Sequence, residues 1–327
     1  MNEAATPCPL LSGSTRSEAS CDPLLFEDCA FEEMGPPFKS KVREFQFPSF
    51  LGSVDFCESY AFPPIARVGC LLERTGEIRK LFCYQDRKWA GFFREIEIIG
   101  PIDPGNDLVQ RLVTKHKPDL LTFSLQTARS FPEHAAGRRL LEVRQMAEDY
   151  RIDLPSTPEE YLRRLGKQTR KHLPYYLRRL HREWGSSYSV EMYRASEITW
   201  DSFVGVLDLN RQRLRAKGRV TGWTPRLAAH RWPLFCRNGL LVSFRLENKI
   251  AGATLSLLYG GEAYLIAIAH DPRHDHLSLG NICLWKTIEH LIGSGHTIFH
   301  LLWGQCFYKE QFGGRRVPLW RASYSSN

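Results

Sequence analysis

Residues 263–270, AYLIAIAH, form an apolar run that breaks at Asp271-Pro272. A polar loop follows and ends in Ser278-Leu279-Gly280-Asn281. Ile282, Trp285, Ile288, Leu291 and Ile292 then recur at helical spacing, so one face of a helix packs on a sheet. A second apolar run, TIFHLLWG, spans 297–304 and leads into FYKEQFGG at 307–314. Strand, glycine-bearing loop, helix and strand make one α/β crossover. A helix that opens near Gly280 has first-turn amides with no intrahelical acceptor. With the helix dipole they can hold a pyrophosphate, and glycine removes the side chain that would keep phosphate away. A proton donor, Tyr308, follows the second strand.

Upstream, LLVSFRL (240–246) and IAGATLSLLY (250–259) flank Glu247-Asn248-Lys249, a hairpin signal. The first half repeats this order. ARVGCLLER (66–74) and IRKLFCYQ (78–85) flank Thr75-Gly76-Glu77. FFREIEIIG (92–100), Pro101, Gly105-Asn106, a helical pattern on Leu108, Leu112 and Val113, and DLLTFSLQ (119–126) come next. Three strands, Pro, Gly-Asn, helix and strand thus occur twice, which predicts tandem copies of one α/β unit. Two unrelated halves that each contain a hairpin are the alternative.

Between the copies, Thr157-Pro158-Glu159-Glu160 reads as an N-cap, a first-turn proline and a capping box. The helix it starts is basic (Arg163, Arg164, Lys167, Arg170, Lys171), and Pro174 is expected to kink or end it. Arg178, Arg179 and Arg182 lie on a second basic stretch. A third helix is expected over Trp200–Lys217, with Phe203, Leu207 and Leu214 inward, Arg211, Arg213 and Arg215 outward, and Gly218 as its stop. The basic helices suit a carrier protein, a nucleotide-linked acceptor or nucleic acid; a solvated charged face is the plainer reading. No recognised single-strand stacking platform is present.

The chain has 327 residues, long enough for two domains. Its net charge of +8 favours anionic partners. The nine cysteines include no CxxC pair, which argues against a zinc ribbon and for reduced thiols. No secretory signal and no apolar stretch of ~20 residues is evident, so the expected location is cytoplasmic. Residues 1–40, rich in Ser, Pro and acid, read as a disordered or loosely docked leader. The expected domains are 41–152, degenerate, and 153–327, catalytic.

The segment 263–302 resembles motif A of the GNAT acyltransferase superfamily, and FYKEQFGG resembles its motif B. The basic helix pair of 161–184, Asn210-Arg211-Gln212-Arg213, and Trp303-Gly304 before Tyr308-Lys309 resemble the cellulose-biosynthesis-type acetyltransferases, a tandem branch. The resemblance covers about 155–320 well and 45–150 loosely. It implies an α/β (α+β) fold of two tandem GNAT-like domains, each a mixed, mostly antiparallel sheet flanked by helices. It implies acetyl-CoA or acyl-CoA as co-substrate, with acyl carrier protein as an alternative donor. A strand splay would set the pantetheine arm beside Leu265, Ile266, Ala267 and Ile268. Ser278, Leu279, Gly280 and Asn281 would hold phosphate. In the family loop Gln/Arg-x-x-Gly-x-Gly/Ala, Asp275 takes the first place and Ser278 that of the first glycine; Arg273 can offset the acid.

Tyr308 takes the place of the tyrosine that protonates the leaving thiolate, a role that a phenol fills by donating as charge builds on sulfur. A helix aromatic packed on the sheet is its plain alternative. His270 and Asp271, at the strand end, are base candidates, with Glu262 a weaker one. A strand-end histidine and a turn-capping aspartate are the bland readings. His270, Asp271, His274, Asp275 and His276 also invite a metal, but no distant ligand set accompanies them and none is expected. The expected activity is N- or O-acyl transfer to a small-molecule or saccharide acceptor, which the family resemblance sets in surface polysaccharide metabolism. Two alternatives stand beside it: a Fem-type aminoacyl-tRNA-dependent transferase and a catalytically silent ligand-binding module.

Overall fold

In the computed structural model, the described residues are 25–326 except 31–32, 46, 48, 61–66, 74, 76, 90–92 and 128–129. The chain divides into two compact units, residues 1–147 with 318–327 and residues 148–317.

The first unit contains β1 (Leu25–Ala30), α1 (Pro36–Glu44), α2 (Val54–Tyr60), β2 (Arg67–Leu72), β3 (Ile78–Trp89), β4 (Phe93–Ile99), α3 (Asp107–His116), β5 (Leu120–Gln126) and β6 (His134–Ala135). β1 to β4 pair antiparallel in sequence order. β5 returns parallel to β4 through α3, and the chain's last strand lies antiparallel to β5. Leu108, Val109, Leu112 and Val113 form the buried face of α3, packed with Phe82, Ile96, Ile98 and Phe123. Asn106 caps α3 by accepting from the Leu108 amide, and Lys115 and His116 complement the dipole at its end. β1 and α1 occupy residues that the sequence reading left without elements. β1 is held by pairing to β2 rather than by an apolar pattern of its own. Residues 1–24 of the expected leader, and Gly76 of the first hairpin, lie outside the described residues.

β7 (Arg138–Asp153) leads into the second unit, which holds α4 (Pro158–Arg164), α5 (Lys167–Trp184), β8 (Tyr188–Arg194), α6 (Trp200–Ala216), α7 (Pro225–Asn238), β9 (Gly239–Leu246), β10 (Lys249–Tyr259), β11 (Glu262–His270), α8 (Leu279–Gly293), β12 (Ile298–His300), α9 (Phe307–Gln311) and the start of β13 (Arg315–Ser325). β8 to β11 pair antiparallel in order. β12 runs parallel to β11 by way of α8, and the end of β7 pairs antiparallel with β12. The repeat seen in the sequence is therefore a repeat of topology: an antiparallel meander, a crossover helix, then a parallel strand.

Thr157 caps α4 as expected, but Leu165-Gly166 separates α4 from α5. α5 does not end at Pro174; it runs through to Trp184. The acceptor that Pro174 leaves unserved is the Arg170 carbonyl, which belongs to an exposed residue. Leu173 and Leu180 are the buried residues of α5. α8 packs through Leu284, Trp285, Ile288, Leu291 and Ile292 onto Tyr150, Val242, Leu265 and Phe299. Tyr161 stacks on Trp285 with ring centroids 5.8 Å apart, tying α4 to this core.

Candidate functional site

Pairing between β11 and β12 covers only Glu262–Tyr264 against Ile298–His300. Beyond that point the chain after His300 turns away, and the Leu301 amide bonds to the Tyr150 carbonyl of β7 at 2.7 Å. Leu265–His270 is left as the free edge of a splay. Leu265, Ala267 and Ile268 are buried, and Ile266 falls where the β10–β11 register shifts. One acceptor on the edge is already taken: Asn210 of α6 donates Nδ2 to the Ile268 carbonyl at 2.8 Å. This contact was not foreseen, since only the fold brings α6 across β11.

The first unit treats its equivalent opening differently. Gln126, at the end of β5, donates its side-chain amide to the Gly100 carbonyl and accepts from the Ile102 amide at 3.2 Å, which stitches the two parallel strands together past their ends. A cavity of about 230 Å³ walled by Phe47, Leu81, Phe82, Ile99 and Ile102 lies near the start of α3. Its lining is mostly apolar, with Arg79 and Lys80 among it, and it is remote in sequence from the chemistry-bearing residues of the second unit.

At the open edge of the second unit a 3-10 turn, Pro272–Leu277, leads into α8. Ser278 joins them in left-handed conformation, φ 51°, and its side chain caps no amide. The N-terminus of α8 thus lacks the cap that α3 has. Leu279 is fully buried, packed with Leu246, Ala251 and Leu277, so only its backbone faces the mouth. Asn281 is half-buried one residue beyond Gly280. Gly280 serves a neighbour that the sequence reading did not assign to it: a Cβ there would stand 3.1 Å from Nδ1 of His270. The imidazole lies against the helix start.

His270 Nε2 pairs with Asp275 Oδ1 at 2.8 Å, and Nδ1 is enclosed with no partner among the described residues. Burial lowers its pKa, outweighing the opposing pull of Asp275. Asp271 caps the turn by accepting from the Arg273 amide at 3.0 Å and pairs with the Arg273 guanidinium at 2.6 Å. That pairing depresses the Asp271 pKa, outweighing its burial. Arg273 is therefore folded back along its own turn. Asp275, expected as an acid facing phosphate, is engaged by His270. Among the described residues no group of three metal-ligating side chains converges.

Tyr308 lies on α9 and packs at the margin of the core that holds Leu265 and Ile268. Its hydroxyl makes no hydrogen bond to a described residue, and burial raises its pKa, so the phenol stays protonated at neutral pH. Next to it, Lys309 is 2% exposed. Its ammonium donates to the Leu302 and Trp303 carbonyls at 2.8 Å each, and burial pulls its pKa down to about 8. These bonds fix the bend that follows β12. Arg213, expected to point outward, is half-buried and lies within electrostatic reach of Tyr308, Cys306 and Asp275. The fold thus brings His270, Asp275, Arg213 and Tyr308 into one neighbourhood from four elements.

Comparison with known proteins gives a family match and a set of fold relatives. Residues 167–310 match the model described as an acetyltransferase (GNAT) domain. Among curated proteins, nothing matches the sequence. FemX shares the fold with a TM-score of 0.66 at 9% identity, over 88% of this chain and 94% of its own. A conserved protein of unknown function from Bacteroides thetaiotaomicron VPI-5482 gives 0.61 at 13%, over 92% and 99%. L-PGS from Bacillus licheniformis gives 0.50 at 13%, over 75% and 81%. By sequence, residues 167–310 match a GNAT-type acetyltransferase domain, and the first unit repeats the meander, crossover helix and parallel strand of the second.

Proposed function

We propose that the second unit transfers an acetyl or longer acyl group from a pantetheine thioester, carried by CoA or acyl carrier protein, to an amine or hydroxyl. The observation that carries this reading is the free edge of β11 from Leu265, with an uncapped α8 N-terminus at the 3-10 turn that follows it. The edge offers backbone groups to the amides of a pantetheine arm. The helix mouth offers positive potential to phosphate. Most of the rate would come from aligning thioester and acceptor. Tyr308, kept protonated by burial, would donate to sulfur as the thiolate leaves. With Asp271 bound by Arg273 and the enclosed Nδ1 of His270 against Gly280, the acceptor's proton would leave through water. The likeness to cellulose-biosynthesis-type enzymes suggests a saccharide acceptor and a cytoplasmic site of action. The stitched opening of the first unit fits a unit without a donor of its own.

The test is turnover of acetyl-CoA with an acceptor panel by wild type and Tyr308→Phe. The variant should lose roughly 10²-fold in kcat while donor affinity holds. Equal loss in donor affinity and kcat would assign the ring to packing instead.

A second reading is favoured by one surface. On α5, Lys167, Lys171, Arg178 and Arg182 are exposed at helical spacing around Tyr175, itself exposed, and none pairs with an acid among the described residues. Such a stripe, on a fold shared with FemX, suits an aminoacyl-tRNA donor. Aminoacyl-tRNA consumption without any CoA binding would select this reading.

A further inference from the structure

The end of α6 is crowded with cations. Arg211 is paired with Asp208 at 2.7 Å. Arg215, Lys217 and Arg219 are exposed and solvated. Arg213 is neither paired nor solvated in the same way. Its Nε is enclosed and has no hydrogen-bond partner among the described residues. It makes no ion pair among the described residues. Asp275, an acid whose field it feels, makes its contact with His270 instead. Tyr308, protonated by its burial, offers no negative charge. Arg219 adds repulsion.

Enclosing part of a guanidinium without a counter-ion costs free energy. The planar fork of arginine suits bidentate capture of a carboxylate or phosphate. We propose that Arg213 is the receptor for an anionic group, a phosphate or carboxylate, which a substrate brings to the Tyr308 side of the open edge. The neighbouring chemistry rests on the acyl-transfer reading; the anion site does not. Two molecules could supply the group, the phosphates of the donor or an anionic acceptor.

The experiment uses the full chain, with inorganic phosphate, acetate and CoA as probes, read by calorimetric titration and thermal unfolding at fixed ionic strength. The variants are Arg213→Gln, Arg213→Lys and, as a control of equal charge change, Arg215→Gln. Arg213→Gln should weaken phosphate or acetate binding by roughly 10- to 100-fold, with Arg213→Lys intermediate and Arg215→Gln unchanged. The unliganded Arg213→Gln protein should melt no lower than wild type, because an unpaired cation has been removed. If CoA binding weakens in parallel, the anion is the donor's. If wild type still takes phosphate when saturated with CoA, and Arg213→Gln binds CoA normally, the anion is the acceptor's. Either result supports the site. A chain that binds no CoA yet loses phosphate affinity on substitution overturns the CoA reading and leaves this one standing. Wild type that binds neither small anion, an Arg213→Gln protein that binds them unchanged, or one that melts lower would overturn the proposal.

Discussion

His300 stacks on the Tyr264 ring at 4.4 Å and lies between two acids, Asp149 at 2.5 Å and Glu262 at 3.2 Å. Burial opposes its charge, but the bonds and fields of Asp149 and Glu262 outweigh that and raise its pKa to about 9. A histidine whose folded pKa is raised from 6.5 stabilises fully below about pH 6.5, and the contribution fades as pH rises through about 9. The expected gap in unfolding free energy between wild type and His300→Gln is on the order of 3 kcal/mol at pH 6, shrinking towards zero near pH 10. Denaturant titrations across that range check it, and a gap independent of pH would remove the imidazolium from the account. His300 was legible only as part of a strand. Its partners come from β7 and β11, so spacing could not announce the cluster. Arg213 shows the same limit: the helix pattern placed it outward, but the nearby Tyr308 neighbourhood makes its face an inner one.

The seat of α8 depends on one glycine of β10. A Cβ on Gly252 would stand 3.0 Å from the Leu279 Cβ and 3.1 Å from the Cys283 sulfur. The Leu279 Cβ is fixed to the helix backbone, so relief requires moving the start of α8. Gly252→Ala should therefore cost roughly 1–3 kcal/mol of stability and weaken donor binding as well. Gly280→Ala meets the Nδ1 edge of the His270 ring at 3.1 Å, its other neighbours, Ile268 carbons, standing at ordinary contact distance of 3.5 and 3.6 Å, and should cost less. Chemical denaturation of both variants tests the order, and equal losses would argue against a rigid helix seat. At this scale α3, α4, α6, α8 and the meanders were readable because apolar period and capping chemistry agreed. α7 was missed, with Pro233 inside it hiding the pattern of Leu234 and Phe235. β7 was missed because a long exposed run of mixed charge shows no alternation.

For the chain as a whole, a donor that binds only the folded state should stabilise by about 2.7 kcal/mol at 100 times its Kd. CoA and acetyl-CoA should both raise the melting temperature if the open edge of β11 takes a pantetheine arm. A full set of thioesters without effect would move the preference to the tRNA reading. By itself the sequence determined the two meanders, the order of strand, crossover helix and strand after each, and the crossover at Gly280, because propensity, caps and apolar period act within a few residues of one another. Which opening is stitched and which is free was decided only in three dimensions. Gln126 closes one and Asn210 narrows the other through bonds to carbonyls of distant strands, and such partners exist only once the sheet has formed.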